Sequence, residues 1–308
     1  MIEKQSLIKI YLDRNKNDLI FNTAKEVDKH SDKLLKDEIR KIYSNNYSRF
    51  KSTLGYMKRY YVDGNTFTDF YTNILNNFGR GDIKKGEEKF NELINVVANE
   101  VTEKITTYAD VEVKEVRNII IVLMMWKPYL GFLFEETIKA IFENENIFNV
   151  ETSIKLDSEH KIDLLISLKD EKYNDYKIGL QLKSNTYELI SRYYKDGHLK
   201  ANIRAINRDI CKDVYYLLHK DTDINIITAK DFYLHNKTSI CNSRISTRKE
   251  EDYKILEHEE ELIKELLNII LECYNSDNET DLDFEEFKES IYKTEKGLPK
   301  DGNPKVSN

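Results

Sequence analysis

At 308 residues the chain is long enough for two domains, or for one large domain with an elaborated periphery. Its 40% apolar residues supply a core and exclude an intrinsically disordered chain despite 33% charged residues. A formal net charge of -7 excludes a strongly basic nucleic-acid-coating protein, so any grip on nucleic acid must come from local patches on an acidic body.

Only 10 Gly and 3 Pro predict few tight turns and many helices. Cys211, Cys241 and Cys273 stand far apart without CxxC spacing, which fits free thiols in a reducing cytoplasm better than disulfides or a zinc site. The first residues lack the apolar run of a signal peptide. The longest apolar run, Ile119 to Trp126, is too short to span a bilayer. A soluble, cytoplasmic protein with no membrane partner is expected.

In chain order, residues 1–112 read as a helical N-terminal region, a possible DNA-gripping arm. Leu19, Ile20, Ala24 and Val27 recur at helical spacing, as do Phe90, Leu93, Ile94, Val97 and Ala98. Between them, six tyrosines from Tyr43 to Tyr71 intermix with Arg49, Lys51, Lys58 and Arg59. Such interleaving could follow a phosphate backbone; the plainer reading is a helical face with half-buried tyrosines. Asp63-Gly64-Asn65 marks a turn. The stretch Phe78 to Glu88 carries Gly79, Gly81 and Gly86 but not P-loop spacing, so an inter-helix loop and no nucleotide cofactor are expected.

Residues 113–246 read as an α/β core. Val113 to Trp126 predicts a hydrophobic helix that Pro128 ends or kinks. Tyr129 to Phe142 predicts a second helix, with Phe134, Ile138, Ile141 and Phe142 at helical spacing around Glu135. Strands are expected at Val150–Leu156, Lys161–Leu168, Tyr176–Lys183, Val214–Leu218 and Ile224–Thr228, the second and third as a hairpin-like pair. Residues 247–308 predict a helix over Glu257–Tyr274, an acidic segment, a short helix and a polar end. The acidic segment Asn275–Glu286 follows an EF-hand loop only in part, with Thr280 where glycine is needed.

Asp163 interrupts an apolar strand, and Gln181 and Lys183 alternate with Leu180 and Leu182, so both project from one face of the sheet. Two carboxylates and an amide oxygen suit a hard cation such as Mg²⁺, which completes its shell with water and substrate phosphate. A lysine beside such a site can orient the attacking water and stabilise developing charge on phosphate.

Gly131-Phe132-Leu133-Phe134-Glu135 on a helix, Asp163 in the next strand pair, and Gln181-Leu182-Lys183 resemble the PD-(D/E)XK nuclease superfamily, and within it the type II restriction endonucleases. That resemblance covers about a third of the chain. It implies a restriction-endonuclease-like core: a mixed central sheet flanked by helices in the order α-β-β-β-α-β. It also implies a Mg²⁺-dependent endonuclease acting on double-stranded DNA as a homodimer. Asp163, Gln181 and Glu135 would hold the metal, with Glu136 an alternative to Glu135, and Lys183 would position the water. Gln181 departs from the usual acidic residue, and Ile162 stands where Pro often precedes the Asp.

Ser184, Asn185 and Tyr187 begin the segment expected to approach the scissile phosphate or neighbouring bases. Arg192, Lys195, Lys200, Arg204 and Arg208 are candidate phosphate contacts. From Lys183 to Asp213 there are seven Lys or Arg against four acids, a basic excess on an acidic chain. His160 and His198 lie nearby in sequence. A structure-specific resolvase or repair nuclease, or a non-catalytic DNA-binding scaffold, would share these residues.

Overall fold

The computed structural model describes residues 7–42, 57–106, 108, 110–153, 155–160, 162–184, 210–219, 226–228, 254–256 and 259–295. The chain divides into two units, Lys9–Glu136 and, chiefly, Thr137–Asn308. The fold is α/β, with helices in the first unit and a mixed sheet with helices in the second.

The first unit runs through α1 (Leu7–Arg14), α2 (Leu19–His30), α3 (33–42), a 3₁₀ turn (Met57–Tyr60), α4 (Phe67–Gly79), α5 (Ile83–Thr102) and α6 (Val113–Ile121). Side-chain caps fix where these helices start. Asp18 accepts the Phe21 N–H at 2.9 Å to open α2, and also binds the N–H and hydroxyl of Thr68 at 2.8 and 2.9 Å. Thr66 and Asp69 form a capping box at α4. On α5 the apolar repeat becomes a buried stripe of Phe90, Ile94, Val97, Ala98 and Val101. On α2 the repeat buries Ala24 and leaves Leu19 78% and Ile20 40% exposed.

The glycine-rich stretch is an inter-helix turn. Arg80 and Gly81 take the left-handed region, with φ of 56° and 95°, and Asp82 caps α5 through the Lys85 N–H. Gly86 lets the two helices touch backbone to backbone: a Cβ there would collide with the Leu75 carbonyl, 2.7 Å from its carbon.

Pro128 does not end a helix. The chain passes from α6 through a π turn (Val122–Trp126) into α7 (Lys127–Asn144) without a break. The widened turn carries the Lys127 N–H back to the Val122 carbonyl, so the missing proline N–H falls where the register has already shifted. The resulting 32-residue helix, Val113–Asn144, is long and apolar enough by length and composition to cross a membrane, but 56% of its most apolar window is buried inside the protein. Its buried side chains include Trp126, Tyr129, Phe134, Ile138, Ile141 and Phe142, as in the core helix of a soluble protein.

In the second unit a six-stranded sheet has the order β1 (Phe148–Glu151), β2 (Leu164–Leu168), β3 (Ile178–Ser184), β4 (Asp213–His219), β5 (Ile226–Thr228) and β6 (Lys254–Leu256). All neighbours are antiparallel except β3 and β4, which run parallel. The expected pairing of the second and third strands is present, with Leu165 opposite Gly179. β1 stops earlier than its sequence suggests because Ser153 accepts the Leu156 N–H at 3.1 Å and starts a helical turn over Leu156–His160. β6 was not anticipated.

The tail forms α8 (Glu259–Asn278) and α9 (Phe284–Glu295). The helix therefore runs into the segment resembling a calcium loop, and Asn275 uses its side chain to bind the N–H and carbonyl of Leu282, both at 3.0 Å. α8 and α9 clamp the β2–β3 turn: Tyr173 is 1% exposed and packs edge-on to Tyr274 and Phe287, with centroids 5.0 and 4.9 Å apart.

Gly86→Ala should lower the thermal midpoint. Overpacking of about 1–3 kcal/mol outweighs the helix-propensity gain of about 1 kcal/mol, whereas Val96→Ala, at a position 56% exposed, should leave the midpoint nearly unchanged.

Candidate active site

Asp163 lies at a bend immediately before β2 rather than inside the strand. Its N–H donates to the Leu180 carbonyl at 2.9 Å, and its carboxylate accepts the Leu182 N–H at 2.6 Å. The side chain takes the place a main-chain carbonyl would hold had the ladder continued. These two bonds land on either side of Gln181, so the carboxylate is docked on the β3 backbone between Leu180 and Lys183. Asp163 and Gln181 are 9% and 6% exposed, and their chain neighbours Ile162, Leu164, Leu180 and Leu182 are buried as well. Dry surroundings of this kind strengthen any electrostatic interaction made there.

Along β3, Gln181, Lys183 and Ser184 pair in register with Tyr216, Leu218 and His219 of β4. The structure thus brings Asp163 to the strand that carries Gln181 and Lys183. A carboxylate and an amide oxygen are the hard donors that Mg²⁺ takes, and the donor chemistry fits that ion. Among the described residues no group of three or more His, Cys, Asp or Glu side chains gathers as a metal site. A cation held by Asp163 and Gln181 would draw on water and substrate oxygens as well. Asn185, Tyr187, Arg192, Lys195, Lys200, Arg204 and Arg208 lie outside the described residues, as do His198 and Cys241. An open polar groove of about 620 Å³, lined by Asn149, Ser167, Lys169 and Lys177 among others, sits toward the opposite ends of β2 and β3 and includes none of the expected site residues.

Glu135 and Glu136, left as alternatives by the sequence, differ sharply in their partners within the first unit. Glu136 is 7% exposed. It accepts both terminal nitrogens of Arg14 at 2.7 and 2.9 Å, the Tyr61 hydroxyl, and the Gly64 N–H at 2.9 Å. Gly64 reaches it from the expected turn, where φ is 92°. Beside it Asn15 accepts the Phe67 N–H at 2.9 Å and binds the Tyr129 hydroxyl, which reaches the Asn65 carbonyl at 3.0 Å. Glu136 is therefore a structural carboxylate. Glu135 instead forms an ion pair with Lys58 of the 3₁₀ turn, and its side chain is 16% exposed.

Burial, then the neighbouring Glu136, pushes Tyr61 well above the ordinary phenol range; burial does the same to Tyr129 and raises Tyr11 to about 12. Burial opposes the Arg14 charge, but its hydrogen bonds to Glu136 and that carboxylate's charge hold it above its usual value. The sequence reading missed Arg14, Asn15, Tyr61 and Tyr129. The turn Asp63-Gly64-Asn65 was the available signal, since a turn with an exposed N–H offers an anion a donor.

No protein-family model, curated protein or solved structure matches the chain.

Glu136→Gln should cost about 3–5 kcal/mol in urea unfolding, because it strips a mostly buried guanidinium of its charge partner. Glu135→Gln, at a partly exposed pair, should cost about 1 kcal/mol or less. The raised tyrosines predict a pH dependence of definite sign. The unfolded phenols ionise near pH 10 while the folded ones stay protonated, so their contribution is complete below about pH 10 and is lost as pH rises through the folded-state values. The urea midpoint should fall as pH rises from about 10 to about 12, with tyrosinate absorbance lagging behind that of the unfolded chain.

Proposed function

We propose that the chain is a Mg²⁺-dependent endonuclease of the PD-(D/E)XK kind, with a restriction-endonuclease-like core. We propose that it hydrolyses double-stranded DNA, as a type II site-specific restriction enzyme acting as a homodimer in the cytoplasm. One observation carries the reading: the buried Asp163 carboxylate is docked on the β3 backbone between Leu180 and Lys183, beside Gln181. The order α7, three antiparallel strands and a fourth parallel to the third is consistent with the core the motif implies.

In this reading Asp163 and Gln181 hold the ion, with Glu135 as the further ligand implied by the motif. Mg²⁺, when bound, supplies Lewis acidity at the scissile phosphate. Lys183 orients the attacking water and offsets the negative charge that grows on the phosphate oxygens. The basic residues after Ser184 supply phosphate contacts, so DNA affinity should fall steeply with salt.

The test is plasmid digestion by the purified protein with Mg²⁺, with EDTA, and by the Asp163→Asn and Lys183→Ala variants. Asn keeps an oxygen for the Leu182 N–H, so that variant isolates the loss of charge. Discrete fragments should appear with Mg²⁺, vanish in EDTA, and form at least about a hundredfold more slowly with either variant. Intact DNA on every plasmid sinks the restriction reading. Cleavage confined to branched DNA would make the protein a resolvase, and salt-sensitive binding without cleavage would make it a scaffold.

A further inference from the structure

Among the described residues β1 has a strand neighbour on one side only, β2. The Lys169 N–H donates to the Ile147 carbonyl at 2.9 Å, and antiparallel bonding then falls on every second pair. The bonded pairs are therefore Asn149 with Ser167 and Glu151 with Leu165. The N–H and carbonyl of Phe148 and of Val150 point away from β2, and no described residue bonds them. An edge of this kind is a template for another strand.

The described part of the second unit leaves the edge open, because all four residues of β1 line the groove of about 620 Å³. Asn149 is exposed, and its side chain makes no hydrogen bond to any described residue. The groove carries both signs of charge, with Glu143, Glu151 and Asp175 beside Lys169 and Lys177. Lys177 and Glu151 stand 3.6 Å apart with side chains 38% and 55% exposed, a pair that solvent largely screens. Lys169 reaches a neutral group, the Asn146 side-chain oxygen, at 2.8 Å.

We propose that β1 pairs antiparallel with β1 of a second copy of this chain, joining the two sheets across a two-fold axis at Asn149. That register sets Phe148 of each copy opposite Val150 of the other, so every outward N–H and carbonyl finds a partner. An amide side chain is donor and acceptor at once, so Asn149 pairs with its own image on the axis. Glu151 of each copy falls opposite Ile147 of the other, one strand away from Lys169. A groove bearing both signs suits such a contact, whereas a surface of one sign would meet itself and repel. A four-residue ladder is short, so the association is reversible and depends on concentration. The inference gives the homodimer of the nuclease reading its contact face, yet it stands on the strand edge alone.

The test is sedimentation equilibrium of the full chain without DNA over a range of concentrations, beside plasmid digestion by the same preparations. The wild type should self-associate. Val150→Pro removes an outward N–H without touching the ladder to β2. It should weaken association at least about tenfold, with the far-UV dichroism unchanged. Asn149→Asp and Asn149→Lys each place like charges on the axis and should weaken association, more at low salt than at high. An equimolar mixture of those two variants should associate more tightly than either alone. Asn149 is exposed, so its variants carry the test should the proline variant fold poorly. A wild type that stays monomeric at about 0.1 mM overturns this inference. So does an association that these substitutions leave unchanged. Plasmid cleavage in either case leaves the nuclease reading standing; association that responds as expected, without cleavage, supports the β1 contact and counts against the nuclease.

Discussion

The first unit is arranged around a charge that cannot be left alone. Glu136 is 7% exposed, and a carboxylate so placed is tolerable only with its oxygens fully engaged. Its donors come from the end of α1, from the segment after the 3₁₀ turn, and from the Gly64 turn before α4. Those three pieces of chain are thereby tied to α7 at one point. Around that point the rings of Phe67, Phe70 and Tyr61 surround Tyr129 at centroid distances of 5.2, 5.7 and 5.8 Å. The aromatic packing supplies bulk burial, which is indifferent to small rotations of the helix. The ionic clamp is directional and sets the rotation of α7 about its axis. Since successive helical residues differ by about 100°, fixing Glu136 also fixes the side from which Glu135 leaves the helix.

Asp163 plays a comparable part in the sheet with different chemistry. A strand that ends in an ordinary loop leaves its neighbour with an unpaired N–H, a cost that native structures rarely carry in a buried position. Here the Leu182 N–H is satisfied by a carboxylate rather than by a carbonyl. The substitution ends β2, retains a buried acid at the sheet's centre, and holds that acid against β3 without a flexible linker. Structural need and chemical opportunity coincide at this residue, which is why its replacement must preserve the acceptor to be informative.

How much of this was legible in the sequence depends on the range of the interaction. The stripe of Phe134, Ile138, Ile141 and Phe142 was visible because helical burial repeats locally. So was the pairing of β2 with β3, because a short polar turn separates two apolar runs. The strand ends were misplaced where a side chain replaces backbone pairing, at Ser153 and Asp163. Pro128 was read as ending or kinking the helix because the π turn that accommodates it has no sequence signature of its own. Leu19 belongs to the apolar repeat at helical spacing, but the bonds from Asp18 to Thr68 hold the start of α2 and Leu19 stays 78% exposed. The partners of Glu136 were invisible for another reason. Arg14 lies 122 residues away in sequence, and no periodicity links a guanidinium to one of two adjacent glutamates.

The same distinction between local and distant charge governs how an acidic protein could handle a polyanion. A net charge of -7 looks unfavourable for binding DNA. At physiological salt, however, charges separated by more than about 8 Å are largely screened from one another. What a phosphate meets is therefore the few groups within that radius, not the sum over the chain.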